Sequence, residues 1–277
     1  MEKFQFNLNL VKKLTILTFI LFFSSFILPK SEKPVLYIIG DSTVRNGSGK
    51  GADALWGWGS MIGDFFDEAK IEIDNMAIGG RSSRTFLSEG RWDAIMKTLK
   101  KGDYVIMQFG HNDDGPLDDT ARARGTIRGI GRESKEIYNP IRKINETVYT
   151  YGYYMRKYIS DTKAVGAIPI VCSPIPRNNF KDGKVKRNDK DYGLWAKQVA
   201  AQSGAFFIDL NSLISDGYDK MGAEEVGKYF PKDHTHTNGE GASYNAEKVV
   251  EGINSLKKCK LKSFLKTVSH KLCKLKI

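Results

Sequence analysis

Five strand-length apolar runs, each followed by a longer segment, leave this chain few folds to adopt. The runs occupy 35–39, 71–75, 104–108, 167–172 and 205–209 and are rich in Ile, Val and aromatic residues. Helical spacing marks 55–70, 91–101, 148–166, 192–204 and about 243–256. Such alternation predicts an α/β fold in which a parallel sheet is covered by helices on both faces. Right-handed crossovers then leave few topologies. The flavodoxin-like order 2-1-3-4-5 is expected, with a crevice at the carboxyl ends where strands 1 and 3 diverge.

Four short polar blocks carry the chemistry. They are Gly40-Asp41-Ser42-Thr43, the stretch NMAIGGRS at 75–82, Gly110-His111-Asn112-Asp113, and Asp233-His234-Thr235-His236. The first three directly follow the first three apolar runs, so the topology brings them to one crevice. Ser42 is the nucleophile candidate, and a serine hydroxyl needs an adjacent base. His236 is the base candidate, with Asp233 three residues before it to hold the imidazole in the required tautomer. The spacing favours His236 over His234. The Ser42 N–H, the Gly80 N–H and the Asn112 amide form a candidate oxyanion hole, and His111 stands where it can touch substrate. Each residue alone has a plainer reading: a cap for Ser42, a turn for Gly79-Gly80, a loop amide for Asn112. The convergence of four blocks favours acyl transfer. Neither G-x-S-x-G nor a phosphate-binding Walker loop occurs. A metal site is not expected: Asp233, His234 and His236 have no second ligand cluster, and no paired Cys/His spacing is present.

The net charge of +11 suggests nucleic acid only until it is located. Residues 257–277 hold eight lysines and no acid, and residues 1–33 hold five lysines and two glutamates, leaving 34–256 neutral. No nucleic-acid partner is expected for the body. Lys12 and Lys13 precede the apolar stretch 14–28, closed by Pro29 and Lys30. Residues 1–30 therefore read as a secretory signal peptide or a retained N-terminal anchor, predicting a secreted or periplasmic protein, or a membrane-anchored one if the signal is kept. The segment 114–145, dense in Gly, Pro and charge, is expected to be an irregular insertion forming a substrate wall. A second irregular stretch spans 173–191. In the Lys-rich tail 257–277, Leu261, Phe264, Leu265, Val268, Leu272 and Leu275 have amphipathic helical spacing, which suits contact with a membrane surface or cell-wall polymer, or else a frayed extension. Cys172 reads as a buried hydrophobe, while Cys259 and Cys273 could pair after export.

Ser42, Gly80, Asn112 and His236 resemble the four signature positions of the SGNH (GDSL-like) hydrolases, and Asp233 the acid of their last block. More narrowly, IIGDSTV, NMAIGGRSSRTF, VIMQFGHND and FPKDHTHTN are similar to the rhamnogalacturonan acetylesterase family, as are GPLDDTARARGTI and VCSPIPRNNFKDGKV. The similarity covers about 34–256, the expected catalytic domain. It implies a three-layer αβα sandwich, no cofactor, and removal of acetyl groups from an acetylated acidic polysaccharide of pectin. Arg81, Arg84 and Arg177 would suit its carboxylates, though each could equally pair with a nearby acid. Competing expectations are a lipase or thioesterase, which would want an apolar acyl channel, and a non-catalytic polysaccharide-binding protein, which would not need an intact catalytic set.

Overall fold

The computed structural model describes residues 33–46, 49 and 51–267. The chain parts into two units, Met1–Lys33 and Pro34–Ile277, and every described strand and helix belongs to the second. The expected signal or anchor segment 1–30 lies outside the described residues.

Strands β1 (Val35–Gly40), β2 (Glu72–Asn75), β3 (Tyr104–Gln108), β6 (Ile168–Cys172) and β9 (Phe206–Ile208) form one parallel sheet in the order β2-β1-β3-β6-β9. Counting sheet strands alone, this is the expected 2-1-3-4-5. Two short hairpins lie apart from it, β4 (Ser134–Asn139) with β5 (Ile144–Tyr149) and β7 (Phe180–Lys181) with β8 (Lys184–Val185).

Strand periodicity divides the core in two. Leu36, Ile38, Ile106 and Ile170 face α5 (Leu210–Met221) and α7 (Gly239–Ser255), between which comes the short α6 (Ala223–Gly227). Tyr37, Ile39, Val105 and Met107 face α1 (Ser83–Ser88), α2 (Arg91–Met96), α3 (Tyr151–Ala164) and α4 (Tyr192–Ser203). The result is a three-layer αβα sandwich, and each fully buried Leu, Ile or Phe contributes about 1.5–3 kcal/mol. On the second face Tyr158 packs against Phe109 and Trp92, with ring centroids 5.7 and 5.0 Å away, and its hydroxyl donates to Ser83 O.

Two expectations need correction. The segment 55–70 is not an α-helix but a run of 3₁₀ turns, Trp58–Ser60 and Ile62–Phe65. Its N–H groups are used elsewhere: Trp56 N donates to Thr237 O, Trp58 N to Thr43 O and Gly59 N to Val44 O. Gly57 lies so close to β1's exit that a Cβ there would be 2.2 Å from the Val44 carbonyl carbon. Tertiary partners outcompete the helical ladder, and three glycines weaken it further.

The second correction concerns the tail. Residues 257–266 pack onto the body rather than forming an amphipathic helix after a boundary at 256. Cys259 and Leu261 are buried, Leu261 within the 3₁₀ turn Lys260–Phe264 and Cys259 at its head. Phe264 lies edge-on to Tyr104, Leu265 bridges Phe66, and Lys266 N donates to Phe65 O. The spacing that suits a helix also suits this folded-back path, so these apolar groups are spent on the core rather than on an outside surface. Val268, Leu272, Leu275 and Cys273, with any Cys259–Cys273 pairing, lie outside the described residues. Within 114–145, the hairpin β4–β5 supplies order that composition hides.

Candidate active site

The carboxyl ends of β1, β2 and β3 open into a cleft of about 730 Å³, lined among others by Ser42, Gly80, Asn112 and His236. Ser42 sits in the turn that leaves β1. Asp41, fully buried, accepts from Thr43 N and Thr43 Oγ1 at 2.8 and 2.7 Å. Thr43 Oγ1 in turn accepts from Gln108 Nε2, whose carbonyl takes the Trp58 indole N–H. This chain of buried hydrogen bonds ties the Ser42 turn to β3 and to the 3₁₀ segment. Gly40 admits the approach, since a Cβ there would be 2.7 Å from Gln108 O.

The fourth block arrives on the loop before α7. The loop is pinned by Trp56 N to Thr237 O, by Thr237 Oγ1 to Trp56 O, and by Asn238, which caps α7 through Gly241 N. His236 Nε2 consequently stands 2.8 Å from Ser42 Oγ, and its Nδ1 stands 2.7 Å from Asp233 Oδ2. Asp233 Oδ1 accepts from Thr235 N and His236 N at 2.6 and 2.8 Å. Partial burial would raise the Asp233 pKa, but the His236 ring and these two N–H groups outweigh it and hold the carboxyl at about 2.

Three donors face the same space. Gly80 has φ +80°, a conformation that favours glycine. Arg81 Nη1 bonds Gly79 O, and in a trans peptide the Gly80 N–H must point the opposite way. Neither the Gly80 N–H nor the Ser42 N–H is donated to any described acceptor. The Asn112 amide gives one hydrogen to Arg81 O at 2.9 Å and keeps one spare. A serine–imidazole–carboxylate relay beside unspent N–H groups can attack a carbonyl and hold the oxyanion that forms.

The expected substrate-binding residues divide. Arg81 and Arg177 line the cleft, Arg81 paired with Glu89 at 3.0 Å. His111 also lines it. Burial, then the charges of Arg177 and His236, lower its pKa to about 4 against the pull of Asp41, so the ring is neutral at ordinary pH. Arg84 does not bind substrate: it is 1% exposed, donates to the carbonyls of Leu117, Ala123 and Gly125, and pairs with Glu146 at 2.5 Å. Its neighbourhood in sequence to the second block hides that α1 turns it inward. His234, the other histidine of the fourth block, is exposed and does not line the cleft, and its carbonyl accepts from Asn178 N.

Sequence reasoning missed Arg122 and Arg124, which reach the cleft from the 114–145 segment. Their ARAR pattern inside an expected substrate wall was the available signal. Between them Ala123 is held at φ +41°, with its N–H on Asp119 and its carbonyl on Arg84. Arg84 thus staples the wall that presents two other arginines. Arg84→Ala should destabilise the protein by about 3–5 kcal/mol in denaturant unfolding, because three carbonyls lose their donor and Glu146 is left with Arg142 and Asn139 alone; a loss below about 1 kcal/mol would contradict the staple.

Sheet, cleft and relay together define a carboxylic ester hydrolase. The chain matches the model of the GDSL-like Lipase/Acylhydrolase family over residues 38–243 and belongs to that family. It is 33% identical to the rhamnogalacturonan acetylesterase of Emericella nidulans, over 82% of this chain and 87% of the relative. It is 31% identical to the probable rhamnogalacturonan acetylesterase YesY of Bacillus subtilis, over 80% of this chain and 93% of the relative. The crystal structure of YxiM from Bacillus subtilis superposes with a TM-score of 0.64 at 27% identity. That match covers 80% of this chain and 56% of YxiM, so the chain spans little more than half of that relative. The acetylxylan esterase Axe2 of Geobacillus stearothermophilus shares the fold, with a TM-score of 0.51 at 18% identity over 79% of this chain and 93% of its own.

Proposed function

We propose that the protein is an exported acetylesterase that removes O-acetyl groups from an acidic pectic polysaccharide, rhamnogalacturonan. The observation that carries the chemistry is His236 Nε2 at 2.8 Å from Ser42 Oγ, beside three unspent donors. His236 takes the Ser42 proton as Oγ attacks the acetyl carbonyl, and Asp233 holds Nδ1–H and stabilises the imidazolium. The Ser42 and Gly80 N–H groups and the Asn112 amide receive the oxyanion. Its collapse expels the sugar hydroxyl, protonated by His236, and leaves acetyl-Ser42. Water, deprotonated by the same imidazole, then releases acetate and restores the serine.

The substrate class rests on charge and on relatives. Arg81, Arg122, Arg124 and Arg177 all line the cleft, and the Arg122 guanidinium has no ion-pair partner among the described residues. Guanidinium groups suit uronate carboxylates. Three relatives bear the name rhamnogalacturonan acetylesterase, one of them as probable. The polar lining gives no support to a long-chain lipase. Acetate release from acetylated rhamnogalacturonan and acetylated xylan, measured side by side, tests the reading: faster release from rhamnogalacturonan is expected, and faster release from xylan would overturn the pectic assignment. Export rests on the apolar stretch 14–28 and its lysine flank.

A further inference from the structure

The irregular stretch 173–191, which the relay does not use, builds a second pocket. This pocket, of about 150 Å³, shares His111 and Arg177 with the cleft and is walled by Asn179, Lys186, Asn188 and Asp191. Arg177 Nε donates to His111 Nδ1 at 3.4 Å, so the two side chains form a common partition. Gly110 closes the pocket's base; a Cβ there would be 2.7 Å from Pro174 and 3.0 Å from Tyr192.

Several of its polar side chains make no bond within the protein. Asp191 heads α4 without capping it, and its Oδ1 is buried with no hydrogen-bond partner. A buried carboxylate oxygen left unpaired is costly, and a donating ligand would recover that cost. The side chains of Asn179, Lys186 and Asn188 make no hydrogen bond or ion pair among the described residues. Donors and acceptors therefore converge on a space with room for one ring, against the Tyr192 side chain. The pocket's lining charges balance, Arg177 and Lys186 against Asp191 and the Arg128-paired Asp114, whereas the cleft sets four arginines against Asp53 and Glu89. Balanced charge with mixed amides and a carboxylate suits hydroxyl groups rather than an anion.

We propose that this pocket is a glycosyl subsite for a neutral sugar ring adjoining the acetylated acidic residue, with Asp191 and Asn188 accepting from its hydroxyls. The inference rests on the acetylesterase reading and adds where the polymer's next ring binds. Binding energy from such a remote ring serves to position the scissile ester.

The test uses Asp191→Ala and Asn188→Ala in the full chain. It compares kcat/KM on acetylated rhamnogalacturonan oligosaccharides, on acetylated homogalacturonan, which lacks a neutral ring, and on 4-nitrophenyl acetate. The ratio of rhamnogalacturonan to 4-nitrophenyl acetate activity should fall about tenfold per variant, mainly through KM, as expected for a lost hydrogen bond to a charged or amide group. The ratio of homogalacturonan to 4-nitrophenyl acetate activity should hold within about twofold. A rhamnogalacturonan ratio that does not move, or an equal fall on both polymers, overturns the subsite. Inertness of the unmodified protein toward all three substrates overturns the esterase reading and the subsite with it.

Discussion

Replacing Ser42 by alanine should lower kcat for acetyl-ester hydrolysis by about 10⁶ and leave the folded protein as stable as before, within about 0.5 kcal/mol. The size follows from what the hydroxyl does: it forms the covalent bond, and no other side chain in the cleft can replace it. Asn112, Thr235 and the arginines offer donors but no base-activated nucleophile, since His236 Nε2 addresses Ser42 alone. The small stability effect follows from packing. Asp41, Thr43, Gln108 and Trp58 hold the turn without help from Ser42 Oγ. Stopped-flow or endpoint acetate assays with a denaturation curve on the same protein check both halves. Turnover within about tenfold of the parent would remove Ser42 from the mechanism.

Asp233→Asn should cost about 10⁴ in kcat, and the hydrogen bonds dictate why. Asp233 Oδ1 accepts from Thr235 N and His236 N. In the asparagine variant only the amide oxygen can accept those two N–H groups, so the amide NH₂ must face His236 Nδ1. An imidazole nitrogen facing a donor is unprotonated, which moves the ring proton to Nε2. That nitrogen then cannot accept from Ser42. The pH dependence carries a second signature. The Asp233 pKa is depressed to about 2, so its stabilisation is complete above the ordinary carboxylate value and is lost only as pH falls through about 2. A loss of activity at a pH well above 2 is therefore not loss of the Asp233 charge. Less than about tenfold loss of rate would show that Asp233 does not serve His236.

The sheet was readable because its central strands β1, β3 and β6 are buried on both faces and appear as nearly continuous apolar runs, whereas the edge strand β2, with Glu72 and Asp74, is only half-buried. Its order followed from the alternation of strands and helices, and the polar blocks fall at the crevice that order predicts. The relay was readable because its members lie in short local patterns, Asp-x-x-His above all. Features that depend on distant partners were not. The segment 55–70 has helical spacing, yet its N–H groups serve Thr43, Val44 and Thr237. Arg84 and Arg81 look alike in sequence, but the first turns inward to three carbonyls and Glu146 while the second faces the cleft. Arg122 and Arg124 reach the site through a loop whose shape Arg84 sets from about 40 residues away. Lysines between apolar positions in the tail suggested an outward surface, whereas Leu261 is buried and Leu265 pairs with Phe66.

The central claim is that Ser42 is the nucleophile of acetate release. Intact-mass measurement after exposure to a serine-directed organophosphorus probe, with acetate release from acetylated rhamnogalacturonan followed in the same samples, tests it most directly. One adduct per chain on the peptide containing Ser42, with activity lost in proportion to labelling, is the predicted result. Undiminished acetate release from fully labelled protein, or an adduct on any other residue that abolishes activity while Ser42 stays unmodified, would contradict it.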